Sequence, residues 1–267
     1  MSVLPGLNLL LPTAEEEQLP HPERKKTMTP QKLSIIIPAF NESLTLPCVL
    51  DKINAARLPA GIGREVVVVD DGSTDATPAA VAASIAAHPE LEIRLVRHEV
   101  NRGKGAALRS GISHAAGDYL VIQDADLEYD PGEYAELLKP VIDGHADVVY
   151  GSRFMGSKAH RILFFWHTIG NRFLTTLSNL CTNLNLTDME TGYKLFRTGL
   201  IKGIALREQR FGFEPEVTAK IARIPRIRIY EIGISYYGRT YEEGKKINWR
   251  DGLHAIWCIL KYGLFRR

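Results

Sequence analysis

The chain has 267 residues, of which 45% are hydrophobic, and this is enough for one large domain with a buried core. The formal net charge is only +2, so the chain lacks the basic field typical of nucleic-acid binding, and we expect no nucleic-acid partner. The sequence contains no run of about 18 uncharged apolar residues, and we therefore predict no transmembrane helix.

The amino-terminal segment, residues 1–31, is rich in proline and charge and sustains no period, so we predict a disordered tail. Residues 32–246 are predicted to form the main domain, and residues 247–267 a carboxyl-terminal amphipathic helix. β-branched apolar runs predict five strands, at 33–40, 65–75, 92–98, 118–123 and 146–153. Helical patterns separate them, at 44–57, 75–88, 101–117 and 131–142.

This alternation of uninterrupted apolar strands with helices predicts an α/β fold, with a mostly parallel sheet covered on both faces. A polar motif follows the carboxyl end of almost every strand: "PAFNE", "DDGSTD", "NRGKG", "DADLE" and "GSR". Ligands of open α/β sheets bind in the crevice at that edge. We therefore expect all five motifs to face one pocket.

The alternation weakens beyond residue 160. Residues 161–184 predict an apolar, aromatic helix, and 226–239 predict a further strand. Residues 247–265 repeat apolar groups on one helical face, which consists of Leu253, Ile256, Trp257, Leu260 and Leu264. The aromatic and basic residues around this face are typical of a helix in a membrane interface, although an ordinary packing helix has the same pattern.

The stretch "VIQDADLEYDPG", residues 121–132, places several acids directly after a buried strand. One interpretation is a solvated loop in which Asp130 and Pro131 start the next helix. An EF-hand calcium loop is excluded by spacing, because Tyr129 stands in place of the glycine and Ala135 in place of the glutamate.

The interpretation that the location favours is a divalent metal held by Asp124 and Asp126. Mg²⁺ is commonly bound through one or two carboxylates together with substrate phosphates. Lys104 of "NRGKG" could serve the same phosphates. The motif is not a Walker loop, because Gly105 stands where Ser or Thr must follow the lysine. The motif is not a dinucleotide-binding fingerprint either, because Leu108 stands where the last glycine of GxGxxG is required.

The motifs "IIIPAFNE", "VVVDDGSTD", "NRGKGAAL", "QDADLE" and "YGSRF" resemble, in order and spacing, those of family 2 glycosyltransferases. "DMETGYKLFR" and "GRTYEEGKKI" extend the resemblance to polyprenyl-phosphate hexosyltransferases such as dolichol-phosphate mannose synthases. The resemblance covers roughly residues 33–250. It implies a GT-A fold, Mg²⁺ or Mn²⁺ as cofactor, and inverting transfer of a hexose from GDP-mannose or a UDP-hexose.

The resemblance also implies roles for single residues. The nucleotide-sugar site would consist of Pro38, Phe40, Glu42, Asp70, Asp71, Lys104, Asp124 and Lys245. The metal would be held by Asp124, Asp126 and Glu128, the last standing where mannose synthases commonly carry Gln. Arg153 and Arg161 would hold an acceptor phosphate, and Asp188 and Glu214 would lie at the sugar. The residues expected to act in catalysis are Asp126, Arg153 and Arg239.

Three hypotheses for function follow. A lipid phosphate as acceptor is already ionised and needs cations but no base, which Arg153 and Arg161 beside "ILFFWHTIG" fit. A hydroxyl of a glycolipid, sphingolipid or polysaccharide needs a base, for which Asp188 or Glu214 is the candidate. The third hypothesis is an inactive nucleotide-binding scaffold at the membrane. We expect a cytoplasmic protein, peripheral on the inner face of the membrane.

Overall fold

The structure is a computed structural model that describes residues 31–156, 158, 161–162, 164–239 and 249–265. The predicted tail therefore lies outside the described residues, except for Gln31, and so does Lys245. The strands are β1 (Lys32–Ala39), β2 (Gly63–Asp70), β3 (Glu92–Arg97), β4 (Tyr119–Ile122), β5 (Val148–Ser152), β6 (Lys194–Arg197) and β7 (Ile229–Gly233). The helices are α1 (Leu46–Ala55), α2 (Thr77–Ala87), α3 (Lys104–His114), α4 (Tyr134–Ile142), α5 (Phe165–Thr182), α6 (Thr198–Lys202), α7 (Phe213–Ile221) and α8 (Trp249–Leu264).

The strands form one sheet in the order β3-β2-β1-β4-β6-β5-β7. β1 pairs in parallel with both β2 and β4, β2 with β3, and β5 with β7. Only β6 is antiparallel to its neighbours β4 and β5. The predicted α/β class with a mostly parallel sheet is therefore confirmed.

The apolar strands divide the interior into two cores because successive side chains point to opposite faces of the sheet. Ile35 and Ile37 of β1 pack in one core with residues of α1 and α4. Ile36 lies between them in the chain and packs in the other core with residues of α3 and α7. Burial on both faces explains why these strands are continuous apolar runs.

The second half of the domain departs from the predictions in length and content. The helix predicted at 161–184 extends over Phe165–Thr182, and the strand predicted at 226–239 is only Ile229–Gly233. Three elements had no prediction: β6, α6 and α7. β6 has only four residues and begins with the buried Lys194, so it carries no apolar run that would have indicated a strand.

The helix predicted near the carboxyl end is present as α8, but its packed face differs from the prediction. Ala255, Cys258 and Tyr262 are buried, and α8 packs on α5 and α7. Leu253, Trp257 and Leu264 of the predicted apolar face are 58–60% exposed. Within the described ranges, no helix has the length and apolar character needed to cross a membrane.

Gly111 of α3 gives a test of the contact between this helix and β1. A Cβ atom at this position would overlap the Cγ2 methyl of Ile36 and lie 3.3 Å from that of Val69. We expect Gly111→Ala to lower the free energy of unfolding by about 1–3 kcal/mol, because the core is already filled. Denaturant unfolding followed by circular dichroism measures this.

Gly170→Ala is the matched control, because a Cβ atom there meets no other atom within 4 Å. Alanine is the better helix former by about 0.8–1 kcal/mol, so this variant should be as stable as the wild type or more stable. Equal effects of the two substitutions would contradict the packing described here.

Candidate active site

A cavity of about 780 Å³ opens at the carboxyl ends of the parallel strands, the edge of the sheet where the sequence motifs predicted a ligand-binding pocket. Most of the predicted site residues line it: Pro38, Phe40, Glu42, Asp71, Lys104, Asp124, Asp126, Glu128, Arg153, Glu214 and Arg239. The cavity wall also includes Asp251, Gly252 and Ala255 of α8. Residues far apart in the chain therefore meet around a single space.

The acidic loop after β4 is held in shape by its own backbone. Leu127 adopts a left-handed conformation with φ 65°, which is uncommon for a residue with a branched side chain. The Asp126 carboxylate accepts a hydrogen bond from the Glu128 N–H at 3.2 Å. Asp130 accepts one from the Gly132 N–H and so caps the 3-10 turn Pro131–Glu133, as predicted. Asp124, Asp126 and Glu128 thus face the cavity on a fixed turn.

Two cations contact the metal-binding candidates. Lys104 Nζ lies 2.8 Å from Asp124 Oδ1 and 3.6 Å from Glu214 Oε1. Arg239 donates to Asp126 Oδ2 at 2.8 Å. Burial and then the neighbouring Asp124 and Glu128 carboxylates raise the pKa of Asp126 to about 7, although Arg239 opposes the rise. The acids therefore repel one another strongly enough to favour additional positive charge.

The donor set fits a divalent cation such as Mg²⁺ or Mn²⁺. Asp124 and Asp126 offer carboxylate oxygens, the ligands that hard divalent cations prefer. The raised pKa of Asp126 is the expected mark of a carboxylate placed beside like charges. Both oxygens of Glu128 accept hydrogen bonds, from the Tyr236 hydroxyl and the Arg239 N–H, just as both oxygens of Asp126 accept from the Glu128 N–H and the Arg239 guanidinium. A metal role for these residues stays a prediction.

Arg153 is clamped by a buried acid. Its guanidinium donates to both oxygens of Asp188, at 2.7 and 2.8 Å, and its backbone N–H adds a third bond at 3.0 Å. Asp188 is fully buried, does not line the cavity and also accepts from Asn171. Asp188 therefore positions Arg153, which does line the cavity, and the expected place of Asp188 at the sugar or as a base stays a prediction.

The first two acids of "DDGSTD" have structural contacts. Asp70 is buried, accepts hydrogen bonds from the Ser73 N–H and the Arg97 guanidinium, and does not line the cavity. Its expected contact with the nucleotide stays a prediction. Asp71 does line the cavity, but its two oxygens accept from the backbone N–H groups of Arg102 and Gly103. It thereby holds the "NRGKG" turn.

Arg161, predicted to bind the acceptor phosphate, is exposed and is not part of the cavity lining. Its side chain donates to the Gly238 carbonyl at 3.0 Å, beside the segment that carries Arg239. Glu42 lines the cavity and accepts from the Thr45 hydroxyl at 2.6 Å. The ligand roles of both residues stay predictions.

The cavity also contains residues that the sequence did not single out, namely Tyr129, Glu190, Arg210 and Tyr236. Tyr129 stacks on Tyr193 with 5.0 Å between ring centroids, and Tyr236 lies under the Arg153 guanidinium at 5.2 Å. Tyr129 stands within the acidic motif, which was a usable signal. Glu190 stands within "DMETGYKLFR" and Tyr236 within the strand predicted at 226–239, but their places in the cavity depend on tertiary packing.

Glycines allow the loops to approach the charged groups. Gly103 has φ +93° and a Cβ atom there would lie 2.5 Å from the Gln209 carbonyl oxygen. At Gly192 a Cβ atom would lie 2.6 Å from Asp124 Oδ2 and 3.2 Å from Lys104 Nζ. The segment 188–192 is therefore packed directly against the charged pair that faces the cavity.

Comparison with known proteins gives a family and a fold. The model of the family described as "Glycosyl transferase family 2" matches residues 34–204. The chain is 28% identical over 214 residues to dodecaprenyl-phosphate galacturonate synthase of Rhizobium johnstonii, covering 80% of this chain and 61% of that protein. It is also 28% identical over 257 residues to dolichyl-phosphate beta-glucosyltransferase of Dictyostelium discoideum, covering 90% and 77%. The chain thus spans less than two thirds of the Rhizobium relative.

A third relative is the dolichol-phosphate mannosyltransferase of Pyrococcus furiosus, 26% identical over 238 residues, covering 86% of this chain and 64% of that protein. Among solved structures, glucosyl-3-phosphoglycerate synthase from Mycobacterium tuberculosis, in complex with Mn²⁺, UDP and phosphoglyceric acid, superposes with a TM-score of 0.67. It is 21% identical and covers 87% of this chain and 78% of its own. This likeness confirms the predicted GT-A fold.

The clamp between Asp188 and Arg153 predicts a large effect on stability. We expect Asp188→Asn to lower the free energy of unfolding at pH 7 by roughly 3–5 kcal/mol, because it leaves the buried Arg153 charge without its partner. Arg153 lowers the pKa of Asp188 against the opposing effect of burial. The contribution of the ionised form is therefore present above about pH 4 and lost as the pH falls further.

The difference in stability between Asp188→Asn and the wild type should accordingly become smaller in acid. Melting temperatures of both proteins, recorded from pH 7 to pH 3, measure this difference. Asp143→Asn is the control, because Asp143 pairs with Lys139 on the surface of α4. It should change stability by about 0.5 kcal/mol or less. A similar small effect for Asp188→Asn would contradict the clamp.

Proposed function

The chain belongs to glycosyl transferase family 2, and we propose that it transfers a hexose from a nucleoside diphosphate to a polyprenyl phosphate, with inversion and with a divalent metal. That it is a glycosyltransferase follows from the family. The donor, the acceptor and the metal dependence are the proposal. The observation that carries it is the meeting of Asp124 and Asp126 with Lys104 and Arg239 in one cavity.

A nucleoside diphosphate fits this combination of charges. When bound at Asp124 and Asp126, Mg²⁺ or Mn²⁺ supplies positive charge to the diphosphate oxygens. Lys104 and Arg239 line the same cavity and can turn from the carboxylates to the phosphates. Negative charge develops on the leaving diphosphate as the glycosidic bond breaks, and fixed cations stabilise it there. In the crystal structures of the Mycobacterium enzyme, UDP is bound together with Mn²⁺ or with Mg²⁺.

The fixed position of Arg153 at the cavity wall supports a phosphate group as the acceptor. Asp188 fixes the guanidinium on one side, and Arg153 lines the cavity on the other. A hydroxyl acceptor would need a base, and the two candidates are poorly placed for that role. Asp188 is committed to Arg153, and Glu214 lies within 3.6 Å of the Lys104 ammonium. The relatives whose names include dodecaprenyl phosphate or dolichyl phosphate favour the same class of acceptor.

A membrane-peripheral location on the cytoplasmic face is part of the proposal. α5 and α8 pack against each other and expose large apolar side chains. Those on α5 and just before it include Phe164, Phe165, Trp166, Ile169, Phe173 and Leu180, and those on and after α8 include Leu253, Trp257, Leu264 and Phe265. Leu174 of α5 and Ala255 of α8 line the cavity, so a lipid held by this surface would lie near its opening.

Transfer from labelled UDP- and GDP-sugars into a membrane lipid extract tests the proposal. We expect label in an acid-labile lipid phosphate in the presence of Mg²⁺ or Mn²⁺, and loss of that label with a chelator. Label in a lipid that survives mild acid would indicate a hydroxyl acceptor instead. Failure of every donor to label lipid would contradict the proposed reaction.

The same assay includes Asp126→Ala, which should reduce turnover by about 10²-fold or more, because the residue is required where charge develops. Asp143→Ala, on the surface of α4, is the matched control and should retain wild-type turnover. Wild-type turnover in Asp126→Ala would refute the metal assignment.

Binding to vesicles tests the apolar surface of α5 and α8. The double variant Trp166→Glu and Trp257→Glu should bind vesicles of phosphatidylethanolamine and phosphatidylglycerol roughly tenfold more weakly or worse, because two large aromatic groups no longer enter the interface. Flotation of the protein with the vesicles measures this. Ile85→Glu, on α2, is the control and should float like the wild type. Unchanged flotation of the double variant would place the membrane contact elsewhere.

A further inference from the structure

Glu190 is a half-buried acidic side chain of the cavity that the proposed reaction has not yet used. Its Oε1 atom is buried and has no hydrogen-bond partner among the residues that the structure describes. A buried carboxyl oxygen without a partner costs free energy and is rare in a folded protein. Because Glu190 lines the cavity, a bound molecule can supply the missing partner.

The neighbouring lysine does not supply it. Lys194 is fully buried, but its ammonium group donates to the carbonyl oxygens of Met189 and Thr191. Burial and the nearby Glu214 carboxylate raise the pKa of Glu190, as expected for an acid without a tight ion pair. Among the residues that the structure describes, none forms a salt bridge with Glu190.

The position of Glu190 relative to Asp124 and Lys104 indicates which part of a bound molecule lies beside it. Gly192 lies against Asp124 and Lys104, and Glu190 is two residues away, so their Cα atoms are at most about 7 Å apart. Glu214 approaches the same Lys104 from α7. A group attached to a diphosphate at Asp124 and Lys104 would lie beside Glu190. A nucleoside diphosphate sugar carries the nucleoside on one phosphate and the sugar on the other. With the nucleoside taken to lie at Pro38, Phe40 and Asp71, the group beside Glu190 is the sugar.

We propose that Glu190 is a specificity-determining residue, which binds a hydroxyl group of the transferred sugar through its otherwise unpartnered carboxyl oxygen. The inference rests on the proposed function, since it takes the diphosphate to lie at Asp124 and Lys104. A sugar hydroxyl both donates and accepts, so it satisfies the carboxyl group whether that group is ionised or neutral. Asp188, the residue expected at the sugar, lies two positions earlier and turns inward to Arg153.

The test compares affinities for a nucleoside diphosphate and for the corresponding sugar nucleotide. The probes are UDP with UDP-glucose and GDP with GDP-mannose, measured by calorimetry with Mn²⁺ on the full chain. Glu190→Ala should bind the diphosphate as the wild type does, but bind the sugar nucleotide about tenfold more weakly. Glu136→Ala, an exposed carboxylate on α4, is the control and should change neither affinity.

Deoxy analogues of the sugar nucleotide identify the contact. Removal of one particular sugar hydroxyl should weaken binding to the wild type about tenfold. The same removal should weaken binding to Glu190→Ala little, because the carboxyl group that this hydroxyl contacts is already absent. Equal losses in both proteins at every position would overturn the proposal. If the wild type binds neither diphosphate, the proposed function itself fails, which is a distinguishable result.

Stability separates this role from a structural one. Because the Glu190 oxygen has no partner, Glu190→Gln should melt at the wild-type temperature or above it, while its affinity for the sugar nucleotide changes. A lower melting temperature for Glu190→Gln with unchanged affinity would show a structural role and overturn the proposal. This measurement also stands if Glu190→Ala fails to fold.

Discussion

Repulsion among carboxylates at the end of β4 is the constraint around which the cavity is organised. Asp124, Asp126 and Glu128 occupy alternate positions of one short loop, where burial makes their mutual repulsion costly. Lys104 from α3 pairs with Asp124, and Arg239 from the segment after β7 pairs with Asp126. Residues more than a hundred positions apart are thus drawn together by the same local excess of charge. The proposed metal diphosphate would bring a divalent cation to these acids and phosphate anions to Lys104 and Arg239.

The parts of the fold that could be predicted are those in which local pattern and tertiary environment agree. β1 and β2 are buried on both faces, so their β-branched runs have one interpretation, and the polar motifs after them fall at one edge of the sheet. The segment 188–192 could not be interpreted residue by residue. Asp188 points beneath the cavity to Arg153, whereas Glu190 lines the cavity, and only the packed structure distinguishes them.

The carboxyl-terminal helix shows another limit of sequence patterns. Hydrophobic periodicity finds an apolar face, but it does not reveal whether that face meets the protein or its surroundings. In α8 three of the five residues of the predicted face are exposed, and smaller or polar-tipped residues such as Ala255, Cys258 and Tyr262 are among those that form the packed one. The Tyr262 hydroxyl and Lys261 both donate to Glu208, which fixes the helix to the segment before α7. Such contacts across the fold leave no periodic signal.

The contribution of α8 to the cavity wall has a consequence for synthesis of the chain on the ribosome. The sheet and the acidic loop are complete by the time β7 has emerged, but Asp251, Gly252 and Ala255 are added by the following helix. A nascent chain that has folded only as far as β7 therefore has Lys104, Asp124 and Asp126 without an enclosed site. The ability to enclose a ligand arises only after β7, when α8 emerges and packs on α5 and α7.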